Sequence, residues 1–392
     1  MTSSKTDIII SALVFLFSIG LCAYLYGEIL ASSPVTGALY DSESYNSLGT
    51  AIWLGDELPG GRLALRGYFY PFIATAMVLY SPVLFVISQT LAISIGVYCL
   101  LKSERILTGK VWISPLALLS VSLLVSPASM MTEALGFTLA AAALLAFVAG
   151  PNRAWGVLFL VLAAMVKPAF LPVAVLSSVM VLRLNRTSII VSILMLALVL
   201  PQLLATHIKD GKAQISNAGS SNFQKRFYPA VAGRVQTGGF VSYRSDIAVA
   251  AREMRPDLRD QIGFVIRHPS AAFKTWATIL WSHHLGESSG FTNRDNAMAK
   301  GPPRDFLKTV SGVLNKIFAA LIFPAIFGLA VYFRKSRFRS WPAGFIGPSI
   351  VVTAPLVYWQ GDRVVFIGLL LLLPFAGLGI DRLFAFFRAD PK

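Results

Sequence analysis

The sequence predicts an all-α, polytopic membrane protein with about ten transmembrane helices, and three observations predict it. Of its 392 residues, 55% are hydrophobic and only 14% are charged, whereas an ordinary soluble domain carries about 25% charged residues. So few polar side chains cannot cover a globule in water, and lipid must be the solvent for much of the surface. Apolar stretches recur that are long enough to cross a hydrocarbon core of ~30 Å at ~1.5 Å per residue; the first, Ile8–Gly27, holds no charge. Short basic clusters separate these stretches, as the positive-inside rule expects of cytoplasmic loops.

Taken in order, Ile8–Gly27 reads as a retained helix rather than a cleaved signal peptide, because no small-residue cleavage site follows convincingly and many spans come after it. Tyr68–Leu101 is longer than one crossing needs and reads as one tilted helix kinked at Pro82. The cluster Lys102, Glu104, Arg105 and Lys110 follows on the inner side. Leu116–Gly150 then makes two spans that turn outside near Pro127–Glu133. Arg153 lies inside, and Ala154–Leu182 makes two short spans meeting near Lys167-Pro168, either re-entrant or set where the bilayer thins. Arg183 and Arg186, then Arg334, Lys335, Arg337 and Arg339, then Arg388 and Lys392 mark the remaining inner turns, with both termini inside. The chain thus divides into an N-terminal transmembrane core (1–206) with a first outer loop (28–67), a large outer loop (207–310) and C-terminal transmembrane helices (311–392). Within the large loop, Gln214–Gly239 is rich in Gly, Ser and Asn and reads as coil. Ser245–His268 and Pro269–His283 read as helices, with Phe273, Trp276 and Leu280 on one face.

The net charge of +15 would suggest nucleic acid in a soluble protein. Here cytoplasmic Lys and Arg, or a basic outer loop holding phosphate, account for it, and no nucleic-acid partner is expected. Cys22 and Cys99 both fall inside apolar spans, against a structural disulfide or a zinc site. His283 and His284 precede Glu287, but adjacent histidines on a helix diverge by ~100° and rarely share an ion. No metal or other cofactor is expected; this pair lines an acceptor groove or serves as plain loop.

The first outer loop carries the sharper chemistry. Asp41, Tyr45, Leu48 and Ile52 share one helical face, and Tyr45 and Trp53 suit a membrane interface. The segment reads as an amphipathic helix on the outer surface with Asp41 at its start. Asp41 is either a helix cap or a general base accepting the proton of an attacking hydroxyl; Glu43 turns to another face and ranks below it. Arg62 and Arg66 precede the run Tyr68-Phe-Tyr-Pro71, and their guanidinium groups suit phosphate or lipid head groups. Glu133 and Lys167 are charges at membrane depth, which mark functional sites unless they pair with each other. Arg363 follows Asp362, which offers it a local partner.

These residues in this order resemble the GT-C superfamily of membrane glycosyltransferases, in particular the branch that includes the aminoarabinose transferase acting on lipid A and the protein O-mannosyltransferases. The matching features are the first-loop Asp41 with Tyr45 and its short helix, then Arg66 and Tyr70-Pro71. Further on come Met131-Thr-Glu133, Ala164-Met-Val-Lys-Pro168, Ile266-Arg-His-Pro269 and Gln360-Gly-Asp-Arg363. Ser42 departs from the family, where an acidic or His residue often follows the first Asp. The resemblance implies inverting transfer of a sugar from a polyprenyl-phosphate donor to a lipid, glycan or protein hydroxyl. It further implies Asp41 as base, and Arg62, Arg66, Lys167 and Arg363 as donor-phosphate ligands. Glu43, Tyr45, Tyr68, Glu133, His283 and His284 would line the substrates. The expected setting is a multi-pass protein of the cell inner membrane, among membrane lipids, with its active site facing the periplasm or exterior. Two other activities compete: a flippase or transporter for a lipid-linked sugar, which should show inverted repeats, and a polysaccharide polymerase or ligase, with its key arginines in late loops.

Overall fold

The computed structural model describes residues 5–32, 40–56, 67–128, 132–151, 153–183, 185–216, 218–254, 257–285, 302–357 and 365–388. The described residues are helical without any strand. Five helices are long and apolar enough to cross a membrane, and five shorter apolar ones lie between them. The protein is an all-α membrane protein.

Helix α1 (Lys5–Ser32) is followed by α2 (Tyr40–Leu54), α3 (Phe69–Tyr80) and α4 (Pro82–Thr108). The expected kink at Pro82 is instead a full break. Ser81 is extended (φ −165°, ψ 118°), its hydroxyl accepts from Leu84 N at 3.3 Å, and Pro82 opens α4. Proline lacks the N–H that would continue α3, and a serine cap satisfies one of the donors the new helix leaves open. Gly109, at φ +78°, closes α4 by a bond to the Arg105 carbonyl, a left-handed position that glycine takes without a Cβ clash.

The next stretch crosses the core in pieces, a 3₁₀ turn at Ser114–Leu119, one α turn at Val121–Val125 and a 3₁₀ turn at Ser126–Ala128. Broken backbone at membrane depth survives only where protein covers it, and here Ser120–Ala128 is buried throughout. The Ser18 hydroxyl donates to the Leu124 carbonyl at 2.7 Å and Ser120 caps Leu123 N. Helix α5 (Glu133–Ala149) then pairs with α6 (Arg153–Val166), which turns at Lys167 into α7 (Leu171–Val181). Lys167 is extended (φ −135°, ψ 101°) ahead of Pro168. Val181 returns to share a cavity with Arg153, so α6 and α7 form the expected hairpin. With 14 and 11 residues, its arms reach only ~21 and ~17 Å, short of a full crossing.

After α8 (Arg186–Asp210) comes the large polar segment, and here the coil expected at Gln214–Gly239 is helical. A short turn (Ala218–Asn222) and a π-helical turn (Phe223–Phe227) lead into α9 (Tyr228–Thr237). Tyr228–Gly233 are buried against α10 (Asp246–Met254), α11 (Leu258–Arg267) and α12 (Pro269–Thr278). Small polar residues suggested a loop, but Phe227, Tyr228, Val231 and the alanines between them supply an apolar stripe that tertiary packing buries. The helix expected over Ser245–His268 is two, parted before Asp257, whose side chain caps Arg259 N.

Helices α13 (Pro302–Ala320), α14 (Ile322–Lys335), α15 (Pro342–Val357) and α16 (Val365–Arg388) complete the bundle. Every residue of α16 from Val365 to Gly379 is buried, making it the central post against which α14, α15, α4 and α5 pack. Glycine allows the closest approach: a Cβ on Gly379 would strike the Pro324 carbonyl oxygen of α14 and lie 3.1 Å from Gly328 N. Lipid offers no hydrophobic drive between helices, so such backbone contact holds them together. Gly379→Leu should therefore lose the folded monomer on size-exclusion chromatography in detergent. Gly312, by contrast, has nothing within 4 Å of its Cβ position; Gly312→Ala should gain about 0.5–1 kcal/mol, read as a raised unfolding temperature. Equal behaviour of the two variants would refute the assigned packing.

The basic clusters gather at one end of the bundle. There Asp7, fully buried, receives Arg105 at 2.6 Å and Lys102 at 3.5 Å. Glu104, also fully buried, accepts from the backbone N–H groups of Trp112, Ile113 and Ser114 at 3.0, 2.9 and 2.8 Å. These carboxylates fix α1 and the 112–114 turn to α4.

Candidate functional site

At the opposite end, α5 begins with Glu133 and α6 ends beside Lys167. The Lys167 ammonium donates to Glu133 Oε1 at 3.1 Å, with the two side chains 11% and 1% exposed. A charge at this depth is costly unless it is paired. The extended backbone that Pro168 imposes on Lys167 places its stem over Gly136, whose Cβ position lies 3.6 Å from Lys167 Cβ. Residue 136 without a side chain is what lets the lysine lie along α5 and reach Glu133, one turn back.

The first-loop helix arrives at the same place. Tyr45, Gly49 and Trp53, on successive turns of α2, all meet residues 70–75 of α3. The Tyr45 ring stands edge-on to Tyr70 with centroids 5.3 Å apart, Gly49 lies against Pro71 and Thr75, and Trp53 stacks on Phe72 at 4.4 Å. Trp53 Nε1 donates to the Phe72 carbonyl at 2.8 Å. Because three turns of α2 meet barely more than one turn of α3, α2 lies across the end of α3. Tyr70 is 1% exposed, so the Tyr45–Tyr70 contact that seats the first-loop helix is itself buried.

Tyr68 is hydrogen-bonded to α8. Its hydroxyl donates to the Leu198 carbonyl and its N–H to Gln202 Oε1, each at 2.8 Å. Gln202 in turn donates to the Ile215 carbonyl at 3.2 Å. Tyr68 thus braces the end of the first loop, and Gln202 ties that brace to the start of the polar segment. Sequence reasoning singled out Tyr70 only as part of the Tyr70-Pro71 run and missed Gln202. The signal for Gln202 was present, since a buried amide after Pro201 in an apolar span is as conspicuous as a charge.

Of the remaining sequence candidates, Arg62, Arg66 and Arg363 lie outside the described residues. Asp41 and Glu43 lie in the first turn of α2, which begins at Tyr40, with Asp41 one turn before Tyr45. Their side chains, and those of His283 and His284 in the π-helical turn Ile279–Leu285, lie outside the described residues. The polar segment carries its own basic cleft of about 370 Å³, lined by Arg234, Arg267, His268 and Lys274, and Trp276 Nε1 anchors this segment to the Val352 carbonyl of α15 at 2.9 Å. Among the described residues no group of three or more His, Cys, Asp or Glu is placed to hold a metal.

No protein-family model, curated protein or solved structure matches the chain.

Proposed function

We propose that the chain is a membrane glycosyltransferase that moves a sugar from a polyprenyl-phosphate donor to a lipid, glycan or protein hydroxyl at the outer face of the inner membrane. One observation carries the reading. A buried Glu133–Lys167 pair sits at the end of the bundle away from the basic clusters, the end at which α2 packs on Tyr70 one turn after Asp41. With the basic clusters facing the cytoplasm, this end faces outward, where a donor head group meets its acceptor.

In the proposed reaction the acceptor oxygen attacks the anomeric carbon and the bond from that carbon to the phosphate oxygen breaks. Asp41 takes the hydroxyl proton, and the polyprenyl phosphate departs with the bonding electrons. Charge grows on the departing phosphate, so a fixed cation there stabilises the transition state more than the ground state. Among the described residues Lys167 suits that role, because Glu133 holds its ammonium while 11% of the side chain stays accessible. Glu133 is then a positioning residue. Arg62, Arg66 and Arg363 are proposed to share the phosphate, and the basic cleft of the polar segment to face the acceptor.

The test offers the purified chain, in lipid nanodiscs, a panel of labelled polyprenyl-phosphate sugars with a cell-envelope extract as acceptor pool. Release of polyprenyl phosphate together with label on an acceptor is expected from at least one donor. No release from any donor would overturn the reading. So would movement of intact donor across a vesicle bilayer without bond cleavage, which is the outcome for a flippase.

A further inference from the structure

A second site lies at the basic end, a whole helix away from the Glu133–Lys167 pair. Arg153 opens α6, Arg186 opens α8, and Arg339 lies on the 3₁₀ turn Phe338–Ser340 between α14 and α15. All three line one cavity of about 350 Å³, and among the described residues no acidic one lines it. Three segments distant in sequence thus bring three permanent positive charges to one space.

Positive-inside bias accounts for arginines at this end but not for their convergence. Like charges brought together without a counter-charge repel, and elsewhere at this end the fold supplies a carboxylate, as Asp7 does for Lys102 and Arg105. Among the described residues none lines this cavity. Moreover, Arg339 Nε and Nη2 are shielded from solvent and have no hydrogen-bond partner among the described residues. Buried donors on a charged group are expensive to leave unmet. The turn that carries them is held firmly, with Tyr332 Oη donating to the Ser340 carbonyl at 2.7 Å and Ser340 N to the Arg337 carbonyl at 2.8 Å. Asn185 caps α8 by accepting from Ser188 N at 2.9 Å. The first turns of α6 and α8 open on the cavity, but so do Gly150 at the end of α5 and Val181 at the end of α7, so the helix dipoles offset one another and the charge at the cavity is that of the three arginines.

We propose that this cavity binds a phosphate group, because converging planar guanidinium forks match phosphate oxygens better than any neutral ligand. The bound phosphate supplies the missing counter-charge and joins the α6–α7 hairpin to the C-terminal helices. This proposal does not depend on the catalytic reading. The phosphate comes either from the head group of an anionic membrane lipid or from a soluble phosphate at the cytoplasmic face.

Thermal unfolding of the delipidated full chain in neutral detergent tests it in two arms, one titrated with inorganic phosphate and the other with phosphatidylglycerol added to the micelles. At least one arm should raise the unfolding temperature, and the arm that responds identifies the source. Arg186→Gln, at an exposed position, and Arg339→Gln should each need about tenfold or more ligand for the same rise. Lys335→Gln, outside the cavity, should respond like wild type. Without ligand, Arg339→Gln should unfold no lower than wild type, since one of three repelling charges is gone; a purely structural arginine would lower it with and without ligand. No response of wild type in either arm, or variants that respond as wild type does, overturns the proposal.

Discussion

Asp41→Asn is expected to abolish sugar transfer while leaving donor binding intact. Asparagine keeps the shape of the side chain but cannot take the proton that the acceptor hydroxyl must shed. General-base catalysis contributes about 10²–10⁴-fold, so kcat should fall by that factor while the Kd for a polyprenyl-phosphate sugar stays within a few-fold. Backbone disruption is not expected, because Asp41 lies within the first turn of α2, where loss of the negative charge costs only about 0.3–1 kcal/mol. Glu43→Gln is the control. Two residues on, it points ~200° around the helix and should leave turnover within a few-fold. Full activity in Asp41→Asn would remove the base from this mechanism; loss of donor binding together with turnover would instead make Asp41 part of the binding surface.

How far this arrangement could be read from the sequence depends on the range of the interaction. Period, charge and proline are local, so the membrane class, the break at Lys167-Pro168 and the helical start of the first loop were legible. The Glu133–Lys167 pair was legible as one of two alternatives, because two opposite charges at membrane depth have few other ways to be satisfied. What failed was context. Gln214–Gly239 has the composition of coil, yet burial of Phe227, Tyr228 and Val231 makes it helix. Pro82 was expected to kink a helix, and Ser81 before it turned the kink into a cap and a new start. The packing of Tyr45 on Tyr70 and the bond from Tyr68 to Gln202 are contacts across 25 and 134 residues of chain, and the convergence of Arg153, Arg186 and Arg339 is likewise long-range. No periodicity signals such contacts.

The ion pair offers the test that separates structure from chemistry. Lys167→Met takes the ammonium away from a carboxylate that is 1% exposed. Removing one partner of a buried pair costs about 3–5 kcal/mol, so the variant should unfold well below wild type. Glu133→Gln should cost less, because the Lys167 side chain, 11% exposed, can turn its charge toward water. The double variant Glu133→Gln/Lys167→Met removes both charges at once and so relieves the unpaired buried carboxylate that makes Lys167→Met costly. Its unfolding temperature should return close to that of wild type, and the coupling between the two sites should be at least about 1 kcal/mol. Activity then decides the role of the lysine. If the double variant folds like wild type and transfers no sugar, Lys167 acts on the departing phosphate and Glu133 positions it. If it folds like wild type and transfers sugar at the wild-type rate, the pair is a brace between α5 and α6, and the phosphate is stabilised by the arginines alone. Glu133→Gln sharpens the distinction further: a positioning residue should lower kcat while leaving the Kd for donor nearly unchanged, because the ammonium remains but no longer sits where the charge develops.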